Sequence, residues 1–396
     1  MYYKTVKMQQ PGGVYVVMSK LGSIDPTDMT FEGLLSFCCS GGPYLRKYDP
    51  NGQELWTRQV DTIAYDESNY ANEIKVHTDG SMYIRGVTYR KPDDYTIFDT
   101  SYLKKYDPYG KEMPFQQLSG LDTNKAASIA LDAKGNIYVA RKTNFEKYDA
   151  RGKRLWTRQY GADFNGSQGP LTVDAQGSVY VAGSNEDALI RKYDSSGKEL
   201  WTAHSSTKVR NKAMFVGVYE IAVDQKRNVY AVGTVEQALS KQRHLGKIDA
   251  YIKKYNSDGQ ELWTKQFGTT QDDYAMSVAV DKNGNAYVVG KTYGNLPGQK
   301  HLGYFDAYIQ KYDPSGKELW VRQFGTAAWD NAYSIALDTE NNIYISGSTS
   351  RALPGQKHFG SHDAYLRKYD TNGQELWTRQ FGSSVWDGAY AVAIAP

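Results

Sequence analysis

Short runs of alternating apolar and polar residues fill this chain, and no long segment has the period of an amphipathic helix. Y-A-M-S-V-A-V (274–280) and A-Y-S-I-A-L (332–337) are two such runs. Each precedes a second, of the type D-K-N-G-N-A-Y-V-V-G (281–290) or D-T-E-N-N-I-Y-I-S-G (338–347). A third run reads D-A-Y-I-x-K-Y and a fourth E-L-W-T-R-Q-F. All four are short, rich in β-formers and bounded by turn residues, so each predicts a strand. The D-P-N-G and D-P-S-G links between the third and fourth place Pro second and Gly fourth, as a type I turn prefers.

The group of four recurs along the chain. K-Y-D-P-N-G-Q-E-L-W-T-R-Q (47–59) returns with small changes at 147–159, 192–202, 254–266, 311–323 and 368–380, and in a degraded form at 105–117. Its anchor tyrosines are Tyr48, Tyr106, Tyr148, Tyr193, Tyr255, Tyr312 and Tyr369. Seven units of four strands predict an all-β fold, a seven-bladed β-propeller of four-stranded antiparallel blades. The predicted blades, in a single domain of residues 1–396, are 9–60 with 383–396, 61–118, 119–160, 161–205, 206–268, 269–325 and 326–382. The last residues, S-S-V-W-D-G-A-Y-A-V-A-I-A-P (383–396), copy the start of a unit, and the chain begins close to a second-strand element at 11–17. Residues 389–395 are therefore expected to complete blade one and close the ring, which removes an open sheet edge. Residues 4–8 also alternate and compete for that innermost place.

The signatures D-x-x-G-N-x-Y-V-x-G, D-A-Y-I-x-K-Y-D and G-x-E-L-W-T-R-Q-F-G resemble the SBBP family, the bacterial seven-bladed β-propeller repeat. The resemblance spans nearly the whole chain and is closest from about residue 250 to 396. It implies the fold and no single activity, and it implies members that are often secreted or surface proteins.

Composition narrows the classes. Forty-seven Lys and Arg against 44 Asp and Glu is too even a balance to predict a nucleic-acid partner. No run approaches the roughly 20 apolar residues of a membrane helix. No signal peptide is visible, so a cytoplasmic place is expected for the sequence as it stands, and a secreted or surface one if a leader was removed. Cys38 and Cys39 are adjacent, which suits two thiols better than a disulfide. No nucleophile elbow, phosphate loop or zinc-protease motif occurs. No cofactor or metal is expected, and a monomer is.

Six tryptophans (Trp56, Trp156, Trp201, Trp263, Trp320, Trp377) recur at one place in the fourth strand and are read as packing between blades. Blade two has Pro114 there, then Phe115, which suits an outermost strand. The repeated R/K-K-Y-D charges are read as a solvated outer strand, and the D-x-x-G-N turns as structural. His244, His301 and His358 align in consecutive blades, which suits repeat inheritance better than a zinc site.

Candidate chemistry lies in departures from the repeat. Four residues before the unit's Asp most blades carry a small residue, but blades two and five carry Glu73 and Glu220. Arg85 and Arg141 replace small residues of the second strand, and His77 replaces the unit's Asp. Glu73, Glu220, Arg85 and His77 are the catalytic candidates if the protein is an enzyme. The loops from strand four to the next strand one add Asp273, Tyr274, Trp329, Asp330, Trp386 and Asp387. With Arg141 they are candidates for ligand binding, because Trp beside Asp suits a sugar ring and its hydroxyls. The loops from strand two to three share that face. They are long in blades one, two, five, six and seven, and nearly absent in three and four, so the rim is expected to be low there. The leading expectation is a propeller that binds a small molecule, a glycan or a protein partner on this loop-rich face. The alternative is a propeller enzyme, of the natural-product lyase or alkylating type, with an acid/base pocket at the channel mouth.

Overall fold

A computed structural model describes residues 13–21, 42–60, 67–90, 98–115, 128–160, 169–184, 188–204 and 216–395. Alternation produces the expected strands, which assemble into seven antiparallel sheets. From the inside outward, blade one holds Trp386–Ile394, Val14–Leu21, Tyr44–Tyr48 and Glu54–Gln59. Blade two holds Glu67–Val76, Met82–Arg90 and Phe98–Tyr106. Blade three holds Ser128–Leu131, Ile137–Ala140, Asn144–Tyr148 and Arg154–Gln159, and blade four Leu171–Val173, Val179–Ser184, Ala188–Tyr193 and Glu199–His204. Blade five runs Val216–Val223, Val229–Val235, Asp249–Tyr255, Glu261–Phe267, and blade six Asp273–Val280, Ala286–Thr292, Asp306–Tyr312, Glu318–Phe324. Blade seven runs Asp330–Leu337, Ile343–Thr349, Asp363–Tyr369, Glu375–Phe381.

In blade two the fourth strand is reduced, among the described residues, to one bridge between Tyr106 and Glu112. Pro114 has no N–H to continue that ladder. Phe115 replaces the missing indole, edge-on to Tyr83 at 6.0 Å, as Trp56 meets Tyr15 at 6.0 Å in blade one.

The ring closes as expected. Trp386–Ile394 pairs antiparallel with Val14–Leu21, with Val14 opposite Ile394 and Leu21 opposite Trp386. Residues 4–8, Cys38, Cys39 and most of the blade-one loop lie outside the described residues. No described helix is long and apolar enough to cross a membrane.

The tryptophans join neighbouring blades. Trp377 Nε1 donates to the Pro50 carbonyl at 3.1 Å, Trp201 to Ser257 at 2.9 Å and Trp263 to Pro314 at 3.0 Å. Each acceptor lies in the next blade's turn between strands three and four. There the chain turns at a glycine such as Gly52, whose φ of 79° favours a residue without a Cβ. A Cβ on Gly52 would stand 2.9 Å from the Trp377 ring.

The lysines of the K-Y motif depart from expectation. They are not solvated: Lys47, Lys192, Lys254, Lys311 and Lys368 are buried. In all seven blades the ammonium lies 4.7–5.0 Å from the centroid of the second strand's tyrosine ring. In most it also donates onward, as Lys368 Nζ does to Pro50 O at 3.1 Å. Tyrosine's negative face and a backbone carbonyl replace water, so a charge can be buried there. The preceding side chain forms a cross-strand pair, for example Arg46 with Glu54 at 2.9 Å.

The turns between strands one and two are tied by their Asp. Asp132 Oδ1 accepts from the Lys134 and Asn136 amides at 3.0 and 2.9 Å. Its Oδ2 takes the Tyr138 hydroxyl at 3.3 Å.

Candidate functional site

The innermost strands of all seven blades line one central cavity of about 490 Å³. Simple alternation would send one residue of each adjacent pair away from it. In five blades the innermost strand carries a β-bulge, at Asn72, Tyr219, Met276, Tyr333 and Tyr390. The extra residue of a bulge changes where side chains point. All five bulged residues therefore line the cavity beside Glu73, Glu220, Ser277, Ser334 and Ala391. Tyr333 and Tyr390 stack, with centroids 5.0 Å apart and planes at 21°. Tyr333 and Tyr219 also meet the hydroxyls of Ser348 and Thr234, at 2.9 and 3.0 Å.

Glu73, Arg85 and Glu220 come together here, with Lys75, which sequence reasoning passed over. Arg85 Nε donates to Glu73 Oε2 at 2.9 Å, and Lys75 Nζ lies 3.4 Å from Oε1. Ser128 Oγ and the Ile129 amide of blade three add hydrogen bonds to the same carboxylate at 2.9 and 3.1 Å. Burial alone would raise the Glu73 pKa, but Lys75, Arg85 and these hydrogen bonds outweigh it and hold it below its ordinary value. Glu220 differs. Burial in the channel, with Glu73 repelling from across it, pushes its carboxyl up to about 7 against the pull of Lys75 and a hydrogen bond from the Ile221 amide.

His77 does not join them. It occupies the turn after the innermost strand of blade two, with Nδ1 3.1 Å from Asp79 and Nε2 3.3 Å from the Ala133 carbonyl. Arg141 is likewise outside the cavity. It is buried in blade three, where its Nε donates to Glu146 at 2.7 Å, and the Tyr148 hydroxyl donates to the same carboxylate at 2.6 Å.

The loop residues form the rim. Phe305 bridges Trp329, and His362 bridges Trp386, so loops from strand two to three and from strand four to one do share a face. Their rings make a continuous row, two stacked pairs joined by the tilted contact of Trp329 with His362 at 46°. Phe305 and Trp329 lie at 6.1 Å and 14°, Trp329 and His362 at 5.6 Å, and His362 and Trp386 at 3.6 Å and 13°. Tyr274 continues the rim in blade six, where Lys291 stands 4.9 Å from its ring.

Asp273, Asp330 and Asp387 are fully buried beneath this rim. Each holds its own turn: Asp330 Oδ2 accepts from the Thr326 amide at 2.7 Å and its hydroxyl at 3.0 Å. Asp387 takes the Ser383 amide at 2.6 Å and hydroxyl at 2.7 Å. Burial pushes the Asp273 carboxyl up to about 6, against hydrogen bonds from Thr292 and Thr269. The aligned histidines each serve one loop. His244, His301 and His358 contact Asp249, Asp306 and Asp363 at 3.0, 3.2 and 2.8 Å, in three separate blades.

Comparison with known proteins agrees with this architecture. The SBBP beta-propeller repeat matches residues 262–297 and 319–351. The regulatory protein FlaEY of Caulobacter vibrioides is 26% identical over 164 residues, which cover 38% of this chain and 17% of that protein. An uncharacterized WD repeat-containing protein of Acanthamoeba polyphaga mimivirus is 28% identical over 118 residues, 24% of this chain and 8% of that one. The chain thus spans less than a fifth of the curated relatives it matches. Among solved structures, streptogramin B lyase superposes with a TM-score of 0.50 at 11% identity, covering 84% of this chain and 94% of that one, a likeness of fold alone. With two repeats matched, seven sheets in a ring and the tail paired to the head, the chain is a seven-bladed β-propeller carrying SBBP repeats.

Proposed function

We propose that this propeller binds a small polar ligand in its central channel, reached from the loop-rich face. One observation carries the reading. Every blade contributes to a single cavity of about 490 Å³ that combines Tyr219, Tyr333 and Tyr390 with the charged groups Glu73, Lys75, Arg85 and Glu220. Ligand sites are concave, largely preformed and supplied with a few fixed polar groups, and this volume lies within their usual range. The aromatic row of Phe305, Trp329, His362 and Trp386 lies on the face from which entry is proposed.

A thermal-shift screen of small metabolites and oligosaccharides tests this. Compounds that stabilise the wild type are expected to lose their effect in Ser334→Trp, which fills the cavity from an innermost strand. Stabilisation indifferent to that substitution would place the ligand elsewhere and overturn the reading.

Glu220 supports a second reading, acid–base catalysis in the same cavity. A carboxyl held at about 7 can exchange a proton near neutrality. Loss of turnover in Glu220→Gln with folding intact would favour it.

A further inference from the structure

Two carboxylates and two basic groups face the channel, but they are not shared evenly. Glu73 holds both Arg85, at 2.9 Å, and Lys75, at 3.4 Å. Among the described residues no basic group comes within 4.0 Å of the Glu220 carboxylate. The channel therefore has a carboxylate in no close ion pair, attracted from a distance by Lys75, which Glu73 already holds. Burying such a charge is costly unless a cation joins it. An inorganic divalent ion is a poor candidate, because it needs several oxygen ligands. No group of three or more His, Cys, Asp or Glu able to hold a metal occurs among the described residues. Instead the cavity offers tyrosines from blades five, seven and one, including Tyr219 next to Glu220 in sequence. Aromatic rings with one carboxylate are the setting that recognises alkylammonium groups.

We propose that the channel ligand is an organic cation, an alkylammonium group paired with Glu220 and enclosed by Tyr219, Tyr333 and Tyr390. This rests on the channel-binding reading above and specifies its ligand class. The other groups that line the cavity with Glu220 are Glu73 and Lys75 of blade two's innermost strand, Arg85 of its second strand, Tyr333 and Tyr390 of blades seven and one, and Tyr219 beside it on its own strand. A bound cation favours the ionised carboxylate, so binding releases a proton near pH 7 and strengthens from pH 6 to pH 8.

Isothermal titration of the full chain with choline tests this against its neutral isostere 3,3-dimethyl-1-butanol. The expected result is choline binding at least about tenfold tighter than the alcohol, a difference of the size that one cation–aromatic and carboxylate site supplies. Glu220→Gln is expected to erase that preference and the proton release, and Glu220→Asp to keep part of both. Equal binding of the two probes, undiminished choline binding by Glu220→Gln, or no choline binding at all overturns the cation assignment. Glucose and inorganic phosphate, titrated alongside, separate the two levels. If either binds and Ser334→Trp abolishes it, the channel reading stands without the cation. If none of the four probes binds, both fall.

Discussion

Glu73 and Glu220 occupy the same place in their repeats and line the same cavity, yet their neighbours set them apart. Glu73 contributes stability above the ordinary carboxylate range, and that contribution fades as pH falls toward its lowered pKa. Glu73→Gln would leave the buried Arg85 without its carboxylate, at a cost of about 3 kcal/mol at neutral pH. Glu220 behaves oppositely, because its folded pKa of about 7 lies above the unfolded value near 4.5. Its proton-linked stability is full below 4.5 and is lost as pH rises through 7. Glu220→Gln should therefore match the wild type at pH 4 and exceed it at pH 8 by on the order of 2 kcal/mol. Calorimetric melting of both variants from pH 4 to 8 measures this, and a Glu220→Gln variant less stable than the wild type at pH 8 would refute it. Both acids stand out in the sequence because they break a row of small residues. The tyrosines beside them do not, because strict alternation places Tyr219 and Glu220 on opposite faces. Only the bulge brings both to the channel, and the alternation of apolar and polar residues does not reveal it.

Strands and turns were largely legible because each unit states them again. What the repeat hides is which neighbour a side chain will meet. The K-Y lysines look like surface charges until the tyrosine of the adjoining strand is seen beneath them. Trp beside Asp suggests a sugar platform until the Asp is found buried in its own turn. Contacts between blades can be tested at the turns. Gly52 and Gly298 both have positive φ, 79° and 71°. A methyl on Gly298 meets nothing within 4 Å, whereas one on Gly52 meets Trp377 at 2.9 Å. Gly298→Ala should cost about 1 kcal/mol of backbone strain. Gly52→Ala should cost roughly 1–3 kcal/mol more from overpacking between blades. Equal losses in urea titrations of the two variants would mean that the Trp377 contact yields without cost.

The ring as a whole depends on one joint between chain segments distant in sequence. Lys368, Trp377 and Arg379 all donate to the turn at Pro50–Gly52, at 3.1, 3.1 and 2.8 Å. Residues 386–394 complete the sheet begun by residues 14–21. Deleting residues 386–396 would bare the inner edge of Val14–Leu21 and open the channel wall. Light scattering is expected to show association or aggregation of the shortened chain, and a monomer with an unchanged melting temperature would contradict this. The repeat made this closure legible, since the tail copies the opening of a unit.

That joint also imposes an order on biosynthesis. The strand at residues 14–21 is made before blades two to seven, and its inner partner at residues 386–394 only after them. Middle blades can assemble while translation continues, whereas blade one must wait, half-paired, until the other six have been made. Contacts across such a separation form slowly. Chaperone dependence during that interval should fall on blade one rather than on the uniform blades five to seven.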